Sequence, residues 1–288
     1  MSVPNDDLEK RITQKSVYSQ DNDDDEYFHS LLDRNLRNVE MLLSELPSSD
    51  LVMNAQGEFN LIQPLDLYKG LRALFEFAVA YRGSFMDYLN LAKLDWTIGF
   101  EISLEDNSQA LALPYYESSL KRLKSVANKS NNMDYDMVLM KCLLDMSYCI
   151  DSRSDTSNRY DSLITEAYHV AKKLFDTRLY FCGETDSYIG RIFVYYADLS
   201  NINVSIDEKV EIFRNGINIL ESVAAYEPNA FNLYELGFAQ SLFAFECIDF
   251  NEKNFMKDQA VSNLKKSYEL NKDSGTLDYI KEFLEDIK

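Results

Sequence analysis

The stretch Glu227-Pro-Asn-Ala-Phe-Asn-Leu-Tyr-Glu-Leu-Gly-Phe-Ala239 decides the fold. Pro228 has no backbone N–H, so it ends any helix that precedes it and opens a break before the next. Leu236-Gly237 then sets a residue without a side chain inside a helical stretch, where glycine costs about 1 kcal/mol relative to alanine. That cost makes sense where a paired helix crosses at close range. Downstream, Ala260, Leu264, Ser267 and Leu270 alternate small and large at three- and four-residue spacing, the pattern of one helix face. Upstream, Gly216, Leu220 and Val223 lead in the same manner to Pro228.

A Leu-Gly pair on a first helix, with small and bulky apolar residues on a second and a proline at the join, resembles the tetratricopeptide repeat. Two departures accompany the match. The link around Asp249 to Asn254 reads as longer than the repeat's usual turn, and Pro228 lies one residue closer to Leu236 than usual. Ala78, Tyr81 and Leu94 echo the pattern earlier in the chain.

Working outward, the apolar period is helical from Tyr27 on. Val210, Phe213, Ile217, Leu220 and Ala224 form one stripe, and Leu67, Leu71, Leu74, Phe75 and Ala78 another. Ser205-x-x-Glu208 is a predicted helix start, as a capping box in which each side chain accepts the other's backbone N–H, and Ser84-x-x-Asp87 marks another start. Breaks fall at 47–57, Arg82-Gly83, 104–108, 129–133, 151–158, 182–185, 227–229 and 271–275. The chain therefore reads as all-α: about eleven helices in antiparallel pairs, wound as a right-handed superhelix, a divergent tetratricopeptide-like α-solenoid. Residues 1–26 hold eight acids and three bases, with the run Asp21-Asn-Asp-Asp-Asp-Glu26, and read as a disordered acidic tail. That run lacks the glycine and terminal glutamate of a calcium loop. Residues 27–288 read as a single helical-repeat domain, closed by a capping helix over Thr276 to Ile287 whose outer face carries Asp278, Glu282, Glu285 and Asp286.

Composition narrows the function. Only 9 glycines and 5 prolines in 288 residues disfavour turn-rich β folds and Gly-rich α/β crossovers. A net charge of −19 repels phosphate backbones and anionic lipid, and either attracts a basic protein partner or simply keeps the chain in solution. No apolar run approaches the roughly 18 residues of a membrane span. Four cysteines in a chain of this length read as reduced thiols of the cytoplasm or nucleus.

Motifs for chemistry are missing. His29 and His169 lie far apart, with no ligand or nucleophile spacing around them. Cys142 and Cys149, seven apart on one helix, read as small core residues, and Cys182 and Cys247 stand alone. There is no phosphate-binding glycine loop and no G-x-S-x-G elbow. The reading is no enzyme, no cofactor and no metal. The aromatic runs Phe193–Tyr196 and Phe243–Phe250 read as core.

In the best-matching repeat the inward positions are Tyr234, Phe238 and Ser241, the candidate protein-binding residues. None can pair with a carboxylate, which argues against a clamp for an acidic chaperone tail. It favours a basic, partly apolar segment held in an aromatic groove. A permanent place in a larger assembly is the alternative.

The acidic entry Asp23 to Tyr27, the helix Asn35 to Leu46, the pair Leu65 to Ser103 and the stretch Val210 to Leu284 together resemble the fungal enhancer-of-translation-termination family of nuclear import adaptors. The resemblance implies an all-helical adaptor linked to stop-codon efficiency, to nuclear import of a partner and to an oxygenase acting on a ribosomal protein. That family begins with a basic, lysine-rich arm; Met1 to Glu26 has no such arm.

Overall fold

A computed structural model of the chain describes residues 64–104, 108–127, 132–150, 158–177, 183–247, 249–272, 278–281 and 283. The acidic tail, the helix Asn35 to Leu46, His29 and Cys182 lie outside the described residues. The chain divides into two compact units, residues 1–83 and 84–288.

Within the first unit the described residues form one helix, α1 (Pro64–Tyr81). Phe75 and Ala78 are fully buried, but Leu74, expected on the same stripe, is 49% exposed. The apolar face of α1 is narrower than its leucine content suggests. Arg72 and Glu76 pair one turn apart at 2.8 Å on its outer side.

The second unit is a series of helical hairpins. Its helices are α2 (Phe85–Ser103), α3 (Gln109–Val126), α4 (Met133–Tyr148), α5 (Arg159–Thr177), α6 (Glu184–Asp198), α7 (Ile206–Tyr226), α8 (Ala230–Glu246) and α9 (Phe250–Asn271). Each even-numbered helix pairs with its successor, giving four hairpins: α2–α3, α4–α5, α6–α7 and α8–α9. The first helices of successive hairpins, α2, α4, α6 and α8, also touch one another in order and so form a continuous layer. No strand occurs among the described residues. The fold class read from the sequence stands.

Local chemistry sets the helix starts. Ser84 and Asp87 form the reciprocal box, with Ser84 Oγ accepting the Asp87 N–H at 3.2 Å and Asp87 Oδ2 accepting the Ser84 N–H at 3.1 Å. At Ser205 only half of the expected box forms: its hydroxyl accepts the Glu208 N–H at 3.2 Å, and the Glu208 carboxylate does not reach back. Asn229 caps α8 through the Asn232 N–H at 2.8 Å, and Asp249 caps α9 through the Glu252 N–H at 2.8 Å. The Asp249 cap corrects the expected long link between the last two helices. The carboxylate expected in that link caps α9, which begins at Phe250 only shortly after α8 ends at Glu246.

Three glycines bring paired helices together. A Cβ on Gly237 would lie 2.7 Å from Leu264 Cγ and 3.1 Å from the Ala260 carbonyl oxygen, the close crossing expected from the Leu-Gly pair. Gly190 and Gly216 do the same for α6 and α7. Ala260, Leu264 and Ser267 face this interface as expected, with Ser267 Oγ donating to the Ala230 carbonyl at 2.7 Å. Leu270 is 60% exposed and leaves it. One core runs through the hairpins; Phe213, Leu220, Met140, Leu143 and Phe243 are all at most 2% exposed.

Candidate protein-binding face

The first-helix layer carries a stripe that the periodicity of the core hides. On α4, Lys141, Asp145 and Tyr148 recur at four and three residues; on α6, Glu184, Tyr188, Arg191 and Tyr195 recur at four, three and four; on α8, Phe231, Glu235 and Phe238 do likewise. Such spacing places each set on one face of its helix. Contacts between the helices join the three sets and reach Trp96 on α2.

Asp145 is the anchor. It is 6% exposed, and its Oδ2 accepts the Trp96 indole N–H at 2.7 Å from α2 and the Tyr188 hydroxyl at 2.9 Å from α6. Burial pushes its pKa above the ordinary aspartate value, while the Arg191 charge, the two hydrogen bonds and Lys141 pull it back. A lone buried carboxylate would cost several kcal/mol. Two hydrogen bonds to a charged acceptor, each worth about 1.5–3 kcal/mol, and two nearby cations offset that cost. The Lys141 ammonium sits 5.3 Å from the Trp96 ring and 5.2 Å from the Tyr188 ring, and pairs with Glu184 at 2.9 Å. Three successive hairpins are thereby tied through one polar knot.

Arg191 lies next along α6, 6% exposed, with its guanidinium carbon 4.3 Å from the Tyr188 ring and 5.2 Å from the Phe231 ring. Its polar contacts are weak: Nη1 donates to the Tyr148 hydroxyl at 3.5 Å, and Glu235 Oε1 stands 4.0 Å away. Its Nε has no hydrogen-bond partner. Burial raises the pKa of Glu235, and Arg191 lowers it in part. Tyr148 is 43% exposed, yet its hydroxyl end is hemmed in by Arg191, Glu235 and Tyr195, and burial pushes the phenol far up. The face thus combines open rings (Tyr148, and Phe231 at 51% exposed) with charges held below them.

The three residues singled out from the sequence sit at the next step of the layer. Tyr234 and Phe238 stack at 6.1 Å, and Phe238 lies 6.1 Å from Tyr195, so the aromatic stripe continues from α6 to α8. Ser241 is fully buried; its hydroxyl donates to the Phe238 carbonyl at 2.7 Å and meets the Tyr279 hydroxyl. Tyr279 belongs to the helical turn 278–281 and packs 5.3 Å from Phe238, while Phe283 meets Phe245 edge-on at 5.9 Å. The chain's own C-terminal turn therefore covers the Ser241 end of the stripe. The Asp145–Arg191 portion was not among the sequence candidates, because its residues lie on separate helices far apart in the chain. The readable signal was their three- and four-residue recurrence beside Tyr188 and Tyr195.

Other sequence candidates resolve simply. Cys142 is fully buried, its thiol donating to the Tyr116 carbonyl at 3.4 Å, and burial pushes its pKa up to about 12. Cys149 is half-buried and Cys247 8% exposed, and burial pushes each up to about 11. His169 is exposed beside the Tyr168 ring. Of the aromatic runs, Phe193, Tyr196 and Phe243 are core, but Phe245 and Phe250 are exposed, at 48% and 72%. The described residues hold no cluster of three or more metal-ligating side chains and no helix long and apolar enough to cross a membrane.

No family model matches the chain, and no curated protein matches it. Among solved structures, the nuclear import adaptor Nro1 of S. pombe matches over 82% of this chain and 77% of its own, at 12% identity and a TM-score of 0.35. A likeness that distant carries no argument about partner or activity.

Proposed function

We propose that this chain is a non-catalytic scaffold or adaptor that holds a protein partner against its first-helix layer. The observation that carries the reading is the stripe from Trp96 to Phe238. Four successive hairpins contribute to it, its polar groups are fixed by the Asp145 knot, and Tyr148 and Phe231 remain open on it. Fixed rings with charges at their edges are what a binding surface needs to gain affinity without ordering itself first. The net charge of −19 selects a basic partner, steering its approach and raising the association rate. The sequence resemblance favours a partner among proteins of translation termination or ribosomal-protein handling, in cytoplasm or nucleus. Burial pushes the Cys142 thiol up to about 12, which makes it a poor nucleophile and supports a role without turnover.

The test is crosslinking mass spectrometry on the complex isolated from its native cell at about 50 mM and about 500 mM salt. An adaptor of this kind yields an identified basic client, crosslinked to α4, α6 or α8, that is lost at high salt. A client retained at high salt and crosslinked to the second helices instead marks the chain as a permanent subunit of a larger assembly.

A further inference from the structure

We propose that the Arg191 pocket on the first-helix layer is a carboxylate-binding site, completed by an acidic group of the partner. The proposal deepens the protein-binding reading and rests on it.

The argument begins with an accounting of donors. A guanidinium offers five N–H groups in a planar fork and is satisfied best by a carboxylate that takes two of them in parallel. Buried cations in folded proteins ordinarily meet that demand. Arg191 is 6% exposed and does not: its Nε is unpartnered, Nη1 has a long 3.5 Å contact to the Tyr148 hydroxyl, and Glu235 stands at 4.0 Å, beyond hydrogen-bonding reach.

Its neighbours are committed elsewhere. Asp145 is taken up by Trp96 and Tyr188, and Glu184 by Lys141. Within this cluster Lys141 and Glu184 pair at 2.9 Å, whereas Arg191 and Glu235 face each other across 4.0 Å and leave the guanidinium fork without a hydrogen-bonded carboxylate. The walls suit a planar guest. Tyr188 stacks beneath the guanidinium at 4.3 Å, Phe231 flanks it at 5.2 Å and is half open to solvent, and Tyr148 supplies a phenol at the rim. Arginine stacked on an aromatic face is pre-organised, so little freedom is lost when the fork engages. Glu235 is the resident competitor. Its burial favours the neutral form, so a stronger acceptor displaces it at small electrostatic cost.

A basic segment that docks by its cations on this acidic molecule would then be fixed in register by one carboxylate of its own. That group is either an Asp or Glu side chain or a chain-terminal carboxylate. The two sources share one chemistry and are separated by the test.

The experiment uses the full chain with 15N-labelled arginine and follows the Nε–H resonance assigned to Arg191 by its loss in Arg191→Lys. Four probes are titrated: N-acetyl-alanyl-phenylalanine with a free α-carboxylate, its amide, N-acetyl-glutamate amide, and N-acetyl-glutamine amide. Saturable shifts with one or both carboxylate probes, about ten-fold tighter than with the matching neutral probe, support the site and identify the source. Equal response to acid and neutral probes, or none, overturns it. Glu235→Gln, which removes the competitor, is expected to tighten carboxylate binding several-fold; unchanged or weaker binding overturns the proposal even if the variant is less stable. Salt-sensitive capture of an identified basic client that survives in Arg191→Lys, together with no carboxylate response, sinks this pocket and leaves the adaptor reading standing.

Discussion

Gly190 and Gly216 meet backbone to backbone: a Cβ on either would lie 3.1 or 2.9 Å from the other's carbonyl oxygen. The same added carbons would press to 2.8 Å against Leu220 Cγ and Val194 Cγ2. Neither carbonyl can swing aside without unwinding its helix. Gly190→Ala and Gly216→Ala are each expected to lower stability by about 1–3 kcal/mol, read from urea midpoints by circular dichroism. Gly70 in α1 meets nothing within 4 Å of its Cβ position, so Gly70→Ala should raise stability by about 0.5–1 kcal/mol. Equal effects at the three sites would contradict the close crossing.

The α2–α3 hairpin hinges on a buried ion pair. Asp95 is fully buried and accepts Arg122 Nε at 2.8 Å and Ser118 Oγ at 2.8 Å. Arg122→Ala removes the charge that holds this carboxylate and is expected to cost about 3 kcal/mol. Adding Asp95→Asn should recover part of the loss, because the unpaired charge goes with it. A double mutant no more stable than the single would show that Arg122 acts through packing alone.

Much of this architecture is legible in the sequence because it depends on short-range rules. Pro228, Gly237 and the spacing of Ala260, Leu264 and Ser267 locate a crossing that needs only local geometry, and the helix breaks follow from caps such as Ser84 with Asp87. What stayed hidden depends on which helices lie side by side. Trp96, Asp145 and Tyr188 are separated by 49 and 43 residues, and no periodicity on any one helix announces that they share a hydrogen-bond network. Leu74 and Leu270 fail in the opposite direction: helical spacing places them on an apolar face, but neither is covered. The candidates Tyr234, Phe238 and Ser241 were found because they occur in the repeat with the clearest pattern, whereas Arg191 lies in a hairpin whose Gly190 follows Ile189 rather than leucine.

Glu235 gives the molecule a signed pH response. Burial raises its folded pKa above the unfolded value, with Arg191 opposing. The folded state therefore binds the proton more tightly, and this group's contribution is fully present below the ordinary glutamate value and lost as pH rises through the raised one. Glu235→Gln removes that dependence. The stability of the variant relative to the parent should climb as pH rises from the ordinary glutamate range, then level off above the folded pKa. Urea titrations at closely spaced pH values check this; a relative stability that falls with pH would refute the burial argument.

Tyr279 offers a test of the covered end of the stripe. Its ring packs on Tyr234 at 6.2 Å and Phe238 at 5.3 Å, and its hydroxyl meets Ser241. Tyr279→Ala should cost about 3 kcal/mol or more, the range for emptying an aromatic site, and should increase binding of an apolar dye as Tyr234 and Phe238 open. Tyr279→Phe keeps the ring contacts and should lose only about 1 kcal/mol. Equal costs for the two would place the stabilisation in the hydroxyl rather than the ring.

Tyr279 and Phe283 also limit how the molecule can be lengthened. These rings sit on α8, on the side where another first helix would have to dock to continue the layer. An extra hairpin spliced in behind α9 would find its berth taken, and end-to-end chaining of copies through this terminus would have to evict the same two rings. Engineering a longer array is therefore simplest between α7 and α8, at Glu227 to Asn229, where the seal is left undisturbed.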